Sequence, residues 1–352
     1  MGKIPTLHKD NRYLKSPVNF TALARKHDVL RKFCHLTSRH ELKMDFEKPD
    51  AVRQLSTVLL KEHFNLDVLL PHGRLVPRIP QRLNYICVIR DFIRRNEING
   101  EIFGLDVGTG SSCIFPLLGV RECNWKFWAT EINDKALQFA QENVRKNNLT
   151  DEIFITKPGD KTLIADVVEK AEQQRVKFTF VICNPPFYNY AEVKEKFKRD
   201  GDHYANIASP AGKRPGPPSE TLAHSDELAI DGGELGFIQR LISESESLRD
   251  EIKFFTSMMG KKSTLKEVKK ILDEKKETGA RYTTTTLRQG RTHRSVIIWT
   301  FDKDFKLDGV DTFPEPESMK ASKNKASDTK QAAKQGTEEA NSERSEKTGM
   351  DE

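Results

Sequence analysis

The chain has 352 residues, of which 36% are hydrophobic and 31% are charged, and its formal net charge is +6. This composition predicts a soluble protein with one large α/β domain plus extensions, because no apolar run approaches the ~20 residues that a membrane span needs. The five cysteines are widely spaced and include no C-x-x-C pair, which argues against a disulfide framework and a zinc site and favours a reducing compartment.

The positive charge is concentrated at the front of the chain. Residues 1–80 contain 15 Lys or Arg against 8 Asp or Glu, whereas residues 314–352 contain 7 against 9. A basic segment of this kind indicates a polyanionic partner, with a merely solvated surface as the alternative. Helical apolar spacing in AVRQLSTVLLKEHF and QRLNYICVIRDFIRRN predicts that residues 1–98 form a mostly helical module.

Strand-like and helix-like segments alternate through residues 99–313. The helix-like segments include DKALQFAQENVRKNNL, with Ala136, Ala140 and Val144 on one face, and SSCIFPLLG, ADVVEKAEQQ and ELGFIQRLISES. The strand-like segments are EIFGLDVG, KFWATEIN, EIFITK, FTFVIC, IKFFTSMMG, RYTTTTLR and SVIIWTF. This order predicts a doubly wound, mostly parallel α/β sheet of seven strands that closes with an antiparallel hairpin.

Two segments lack this periodicity. Residues 191–230 are polar and contain KRPGPPS, so we expect a long mobile loop within the folded part of the chain. Residues 314–352 form a mixture of Lys, Ser, Glu, Ala and Gln without aromatic side chains, which predicts a disordered tail because such a sequence cannot bury enough apolar surface to fold.

The first strand–helix turn has the sequence DVGTGSSC, from Asp106 to Cys113. Its two glycines allow a backbone to pass close to a ligand, and Cys113 occupies the place of the third glycine of a dinucleotide fingerprint. Glu131 closes the next strand, where a carboxylate can accept hydrogen bonds from both hydroxyls of a ribose. The pattern favours an adenosyl ligand such as S-adenosylmethionine, with a plain tight turn as the alternative.

The stretch FVICNPPFYN places an amide, two prolines and an aromatic ring at the end of a buried strand. Each proline fixes its φ near −65°, so Asn184 and Phe187 are held at a set distance. The Asn184 side-chain carbonyl and the Pro185 main-chain carbonyl can accept hydrogen bonds from the exocyclic amine of adenine, while Phe187 offers a stacking face. A strand that simply ends in a proline turn is the alternative.

Several segments resemble the RNA adenosine-N6 methyltransferase family called methyltransferase-like protein sixteen. They are NRYLKSPVNFTALA, RLVPRIPQRLNYI, LDVGTGSSCIFPLLG, WATEIN, NPPF and LRQGRTHRS, and the likeness runs from about Lys9 to Phe301. The family methylates U6 small nuclear RNA and is related to the bacterial ribosomal-RNA adenine methyltransferase F group. The resemblance implies a class I (Rossmann-like) methyltransferase fold with a basic N-terminal RNA-binding module.

The resemblance also implies the site residues. The catalytic set would be Asn184, Pro185, Pro186 and Phe187, and the cofactor contacts for S-adenosylmethionine would be Arg82, Gly108, Ser112, Glu131, Thr162 and Asn184. The RNA groove would draw on Lys9, Arg12, Lys15, Lys213, Arg214, Arg288, Arg291 and Arg294. The segment Pro158 to Leu163 resembles a family loop that controls access to the cofactor, with an ordinary strand–helix connection as the alternative.

The predicted activity is S-adenosylmethionine-dependent formation of N6-methyladenosine in structured RNA. The expected partner is U6 small nuclear RNA, with hairpins in messenger RNA as further substrates, and neither a metal nor a membrane is expected. We expect the protein in the nucleus, with a cytoplasmic pool as the alternative. Two rival functions remain open: the same chemistry on ribosomal-RNA adenine, DNA adenine or protein glutamine, and an RNA-binding protein with weak or no catalysis.

Overall fold

The computed structural model describes residues 7–38, 42–46, 48–159, 161–186, 188–189, 229–289 and 292–308. All of them lie within one compact unit, Leu7–Val310. Most of the predicted loop at 191–230 and the whole predicted tail at 314–352 lie outside the described residues. So do four of the predicted site residues, namely Phe187, Lys213, Arg214 and Arg291, together with the side chain of Arg288.

A seven-stranded sheet forms the centre of the molecule, with strand order β5-β4-β3-β6-β7-β9-β8. Its strands are β3 (Phe103–Val107), β4 (Lys126–Thr130), β5 (Ile153–Thr156), β6 (Phe178–Cys183), β7 (Ile252–Met259), β8 (Arg281–Gln289) and β9 (Thr292–Thr300). Strands β3 to β7 pair in parallel, whereas β9 runs antiparallel to both β7 and β8. The predicted doubly wound sheet with a final antiparallel hairpin is confirmed.

Helices connect the parallel strands and cover the sheet. They are α6 (Ile114–Cys123), α7 (Asp134–Lys146), α8 (Ala165–Gln173), α9 (Gly233–Ser247) and α10 (Lys262–Glu274), and a 3₁₀ turn follows at Lys276–Thr278. The predicted apolar face of α7 is buried, because Ala136 and Ala140 are fully inaccessible and Val144 is 3% exposed. Residues of α8, α9 and α10 join one buried cluster with strands β3, β6, β7 and β9, which fixes these helices to the sheet.

The first hundred residues form the helices α1 (Arg12–Lys15), α2 (Phe20–Lys26), α3 (Asp28–Arg31), α4 (Pro49–Phe64) and α5 (Ile79–Arg95). A short antiparallel pair, β1 (Cys34–Leu36) with β2 (Leu42–Met44), interrupts them. These strands have three residues each, too few to show an alternating pattern, which is why the sequence did not predict them.

Helix α5 joins the helical residues to the sheet. The Tyr85 hydroxyl shares a 2.7 Å hydrogen bond with Thr256 Oγ1 of β7, and the ring of Phe92 packs 6.1 Å from that of Phe254. Asn84 accepts the His8 amide at 2.9 Å, so the start of the described chain is fastened to the same helix. The helical residues and the sheet therefore share one core, with the first strand–helix turn close to α5.

None of the described helices has the length and apolarity needed to cross a membrane. Within the same described part of the chain, no group of three or more His, Cys, Asp or Glu side chains is arranged to hold a metal ion.

Candidate functional site

The parallel strands β3, β4 and β6 end at Val107, Thr130 and Cys183, and the residues that follow them border a single cleft. The cleft has an empty volume of about 1090 Å³, which includes solvent at its mouth. Ligands of open α/β sheets bind at this carboxyl edge. The structure brings Arg82, Gly108, Ser112, Glu131, Asn184 and Pro186 from the predicted site to this cleft.

The glycine turn after β3 follows the backbone course that its sequence predicts. Gly108 and Gly110 have φ values of 73° and 65°, in the region that favours glycine, and the Thr109 amide donates to the Thr130 carbonyl at 2.8 Å. A Cβ built on Gly108 would have no atom within 4 Å, so the turn leaves open space beside its backbone. That space is where a ligand can approach the main chain closely.

Glu131 links the glycine turn to the second strand. Its Oε2 accepts the Gly110 amide at 2.9 Å and its Oε1 accepts the Asn133 amide at 2.8 Å, while the side chain is only 7% exposed. Burial raises the pKa of Glu131, although hydrogen bonds from the amides of Asn133, Gly110 and Ile132 oppose the rise. A carboxylate offers about four acceptor positions, so it keeps capacity for ligand hydroxyls.

Asp106 is a buried carboxylate without a hydrogen-bond partner on either oxygen. The pKa of Asp106 is raised to about 7, mainly by burial; the charge of Glu131 acts in the same direction, and the charge of Arg82 opposes it. Burial removes the carboxylate from water and so disfavours its charged form, which is the main reason for the raised pKa. The sequence indicates this buried carboxylate only through an aspartate placed within the apolar strand FGLDV.

Arg82 supplies the cationic side of the cleft. It projects from α5, is 8% exposed, and lies with its guanidinium 5.5 Å from the centre of the Phe115 ring. The pKa of Arg82 is lowered to about 10, mainly by burial. The charges of Arg294 and Arg78 act in the same direction, and the charge of Asp106 opposes them. The guanidinium therefore stays charged at neutral pH and can bind a ligand carboxylate.

The segment after β6 carries the predicted catalytic amide. Asn184 and Pro186 line the cleft, and the Asn184 Oδ1 is buried without a hydrogen-bond partner. Pro185 lies between them and is buried. Tyr188 then forms a parallel bridge with Ala229, and its carbonyl accepts the Ile230 amide at 3.1 Å. Ala229 and Ile230, which follow residues 190–228 in the chain, also line the cleft.

Thr162 lies near the cleft but does not line it. Its hydroxyl donates to Asp166 Oδ1 at 2.7 Å, and Asp166 Oδ2 accepts the Gly159 amide at 2.6 Å. The neighbouring residues Pro158 and Leu163 line the cleft instead. The hydroxyl of Thr162 therefore fixes the β5–α8 connection in this structure, and its predicted cofactor contact stays a prediction.

Four of the predicted RNA contacts have described side chains. Lys15 is exposed, and Lys9 is 60% exposed with its Nζ 3.9 Å from Asp91. Arg12 is more constrained, because it donates to the His63 carbonyl and to Glu122 Oε1 at 3.1 Å. Arg294 is half-buried, and its charge lowers the pKa of Arg82, a residue that lines the cleft.

A family model described as "RNA methyltransferase" matches residues 1–303. The U6 small nuclear RNA (adenine-(43)-N(6))-methyltransferase of Caenorhabditis elegans is 41% identical over 318 residues, which cover 88% of this chain and 65% of that protein. The human RNA N(6)-adenosine-methyltransferase METTL16 is 34% identical over 323 residues, covering 91% of this chain and 54% of that protein. The chain thus spans less than two thirds of the length of these curated relatives.

Solved structures agree with these relatives. The catalytic domain of human METTL16 in complex with the MAT2A 3′UTR hairpin 6 has a TM-score of 0.73 and 34% identity, and the match covers 86% of this chain and 100% of that chain. The N-terminal domain of human METTL16 in complex with SAH has a TM-score of 0.67 and 32% identity, covering 84% of this chain and 99% of that chain. The chain is therefore a class I methyltransferase fold and belongs to the RNA methyltransferase family that includes METTL16.

Proposed function

We propose that this protein is an S-adenosylmethionine-dependent methyltransferase that forms N6-methyladenosine in structured RNA, with U6 small nuclear RNA as its substrate. The observation that carries the proposal is the meeting of Glu131 and Asn184 in one cleft at the carboxyl edge of the sheet. Relatives that are named as U6 small nuclear RNA or RNA adenosine methyltransferases support the choice of reaction and substrate.

The described residues fit S-adenosylmethionine. Glu131 would hold the ribose hydroxyls above the glycine turn, where Gly108 leaves open space. Arg82, which lines the cleft, would bind the carboxylate of the methionyl part. The cofactor supplies an activated methyl group on a sulfonium. All these groups lie on the sheet edge or on α5 and are held before the ligand arrives.

Asn184 and Pro185 would prepare the amine of the target base. The amine of adenine is a weak nucleophile because its lone pair is delocalised into the ring. The Asn184 Oδ1 lacks a partner and can accept one amine hydrogen, and the Pro185 carbonyl can accept the other. Both acceptors hold the amine in a fixed orientation, so positioning and hydrogen bonding carry the catalysis. Phe187, which would stack on the base, lies outside the described residues.

The target adenosine must leave its stack to enter the cleft. Removal costs least where the base is unpaired, so we propose that the substrate adenosine lies in a loop or bulge. Basic residues would bind the flanking phosphates and position the RNA without reading its sequence; Lys9, Lys15 and Arg294 are the described candidates. Hairpins in messenger RNA are second substrates, because METTL16 relatives were crystallised with MAT2A 3′UTR hairpins.

A methylation assay tests this function on three RNAs of equal length. The first is a hairpin that presents the U6 segment unpaired, the second locks the segment in a duplex, and the third replaces the target adenosine. We expect transfer to the first RNA only, and a loss of ~100-fold or more in kcat with Asn184→Ala at saturating S-adenosylmethionine. Equal transfer to hairpin and duplex contradicts an unpaired target, and transfer to the third RNA contradicts the assigned adenosine.

The same assay separates the rival functions. Transfer to a DNA hairpin or a glutamine peptide at the rate of the RNA indicates another amine substrate. RNA binding without transfer to any substrate indicates a non-catalytic RNA-binding protein. Because the proposed substrate is a nuclear RNA, we propose a nuclear location, with a cytoplasmic pool as the alternative, which fractionation of cells expressing the tagged chain would test.

A further inference from the structure

The connection between β5 and α8 forms one wall of the cleft, through Pro158 and Leu163. Two carboxylates hold its backbone. Asp166, in the first turn of α8, accepts the Gly159 amide and the Thr162 hydroxyl. The second carboxylate is Glu244 of α9, which lies 81 residues from Leu163 in the chain. One wall of the cleft therefore depends on a side chain from a distant helix.

Glu244 accepts four hydrogen bonds at the start of α8. Its Oε1 and Oε2 accept the Leu163 amide at 2.7 and 3.0 Å, and Oε2 also accepts the amides of Ile164 and Ala165 at 2.9 and 3.1 Å. The first N–H groups of a helix have no partner inside the helix, and its positive end favours an acidic group. Ile164 stands at the N-cap and makes no side-chain capping bond, so Glu244 performs the capping.

Helix α9 is a rigid support for this carboxylate. Ser245, the neighbour of Glu244, is fully buried and accepts the Trp299 indole N–H at 2.9 Å. The same helix lines the cleft through Phe237. At its start, a Cβ on Gly233 would lie 3.3 Å from the Asn189 amide nitrogen, directly after the segment that carries Asn184. One helix thus contacts both the catalytic segment and the β5–α8 wall.

From this geometry we infer that Glu244 is a positioning residue for cofactor binding: by capping α8 it fixes Leu163 and the β5–α8 wall of the cleft. This inference rests on the proposed function, because it requires that S-adenosylmethionine binds in this cleft. Glu244 acts through the backbone of residues 163–165 and is not among the residues that line the cleft. Its removal should therefore weaken cofactor binding and leave the chemical step at saturating cofactor unchanged.

The test compares Glu244→Gln with Glu246→Gln in the full chain. Both residues lie on α9, but Glu246 pairs with Lys275 on the surface, so it is a matched control for the same substitution. We expect Glu244→Gln to raise the SAH dissociation constant and the KM for S-adenosylmethionine by about tenfold, with kcat within about twofold of wild type. The control should match wild type in all three quantities.

Amide hydrogen exchange in the ligand-free protein gives a second readout. We expect faster exchange at Leu163, Ile164 and Ala165 in Glu244→Gln and unchanged exchange elsewhere, because glutamine keeps only one acceptor oxygen and turns an NH₂ group towards these amides. Unchanged exchange there, or an unchanged SAH dissociation constant, overturns the inference. If wild type itself does not bind SAH, the proposed function fails, while the exchange result still decides the capping role. Should Glu244→Gln not fold, the shorter Glu244→Asp replaces it in both measurements.

Discussion

The Gly110 amide donates a 2.9 Å hydrogen bond to Glu131 Oε2, so the glycine turn after β3 is fastened directly to the carboxylate that ends β4. The second oxygen of Glu131 holds the Asn133 amide, which is at the N-cap of α7. One side chain thereby sets the turn, the strand end and the start of a helix. The cofactor side of the cleft depends on both oxygens of Glu131 being acceptors.

Replacing Glu131 with Gln tests this dependence. A glutamine keeps one acceptor oxygen and turns an NH₂ group towards a backbone donor, so one buried amide loses its partner at a cost of about 1–3 kcal/mol. We expect the dissociation constant for SAH, measured by calorimetry, to rise by about tenfold or more. Glu101→Gln is the control, since Glu101 is 62% exposed and only pairs with Lys126. Wild-type affinity in Glu131→Gln would argue against the ribose-binding role.

Asp106 predicts an unusual pH dependence of stability in the ligand-free protein. Its pKa rises from 3.8 to about 7 on folding because of burial, so the folded state holds a proton that the unfolded state releases near pH 4. Stability therefore falls as pH rises from about 4 through about 7, by up to about 4 kcal/mol. Asp106→Asn removes this fall. In thermal unfolding from pH 4 to pH 8, the melting temperature of the variant relative to that of wild type should increase as the pH rises.

The control for this measurement is Asp151→Asn, at an exposed position. Its pH profile should run parallel to that of wild type. Parallel profiles for Asp106→Asn as well would show that the carboxylate has a partner when folded.

The N-terminal lysines predict a salt dependence of RNA binding. Each neutralised phosphate of single-stranded RNA contributes about 0.7 to the slope of log affinity against log salt. Lys9→Gln with Lys15→Gln should reduce that slope by up to about 1.4 and weaken binding to all RNAs alike. Lys270→Gln with Lys276→Gln serves as the charge-matched control, because Lys270 pairs with Glu267 and Lys276 pairs with Asp273. An unchanged slope would exclude this surface as the RNA contact.

Arg12 is unsuitable for that experiment. It bonds to Glu122 and to the His63 carbonyl, and its guanidinium lies 5.0 Å from the centre of the Phe64 ring. Its replacement would alter packing as well as charge.

Gly104, in the middle of β3, predicts a steric limit in the core. A Cβ there would lie 2.6 Å from Cζ of Phe180 and 2.7 Å from Cε1 of Phe127, closer than side chains approach. We expect Gly104→Ala to lower the free energy of unfolding by about 1–3 kcal/mol in urea titrations. Adding Phe180→Leu should recover part of this loss, because it removes the ring that the methyl group meets. Additive effects of the two changes would contradict the clash.

The sheet could be predicted from sequence because its signals are local. Phe178–Cys183 is buried throughout, is apolar except for Thr179, and is followed by Asn184 and two prolines, so both the strand and its end are visible in the chain. The face of α7 that carries Ala136, Ala140 and Val144 is visible by its spacing. Local patterns of this kind reflect burial of one side or all sides of an element.

Long-range hydrogen bonds carry no such signal. Glu244 resembles any glutamate of a helix, and only its contact with the amides of residues 163–165 reveals its role. Arg12 belonged to a basic segment that predicts RNA binding, yet its partner Glu122 lies 110 residues away. The sequence shows how many charged side chains a segment has, but only the fold shows which of them are already paired within the protein.

The bridge between Tyr188 and Ala229 pairs the two parts of the chain that flank residues 190–228. The Ile230 amide donates to the Tyr188 carbonyl, so the chain on either side of residues 190–228 is joined four residues after Asn184. Loop-closure entropy grows only slowly with length, so insertions and deletions between the two anchors cost little once the anchors are paired. We therefore expect that changes in the length of residues 190–228 leave the position of Asn184 unaltered.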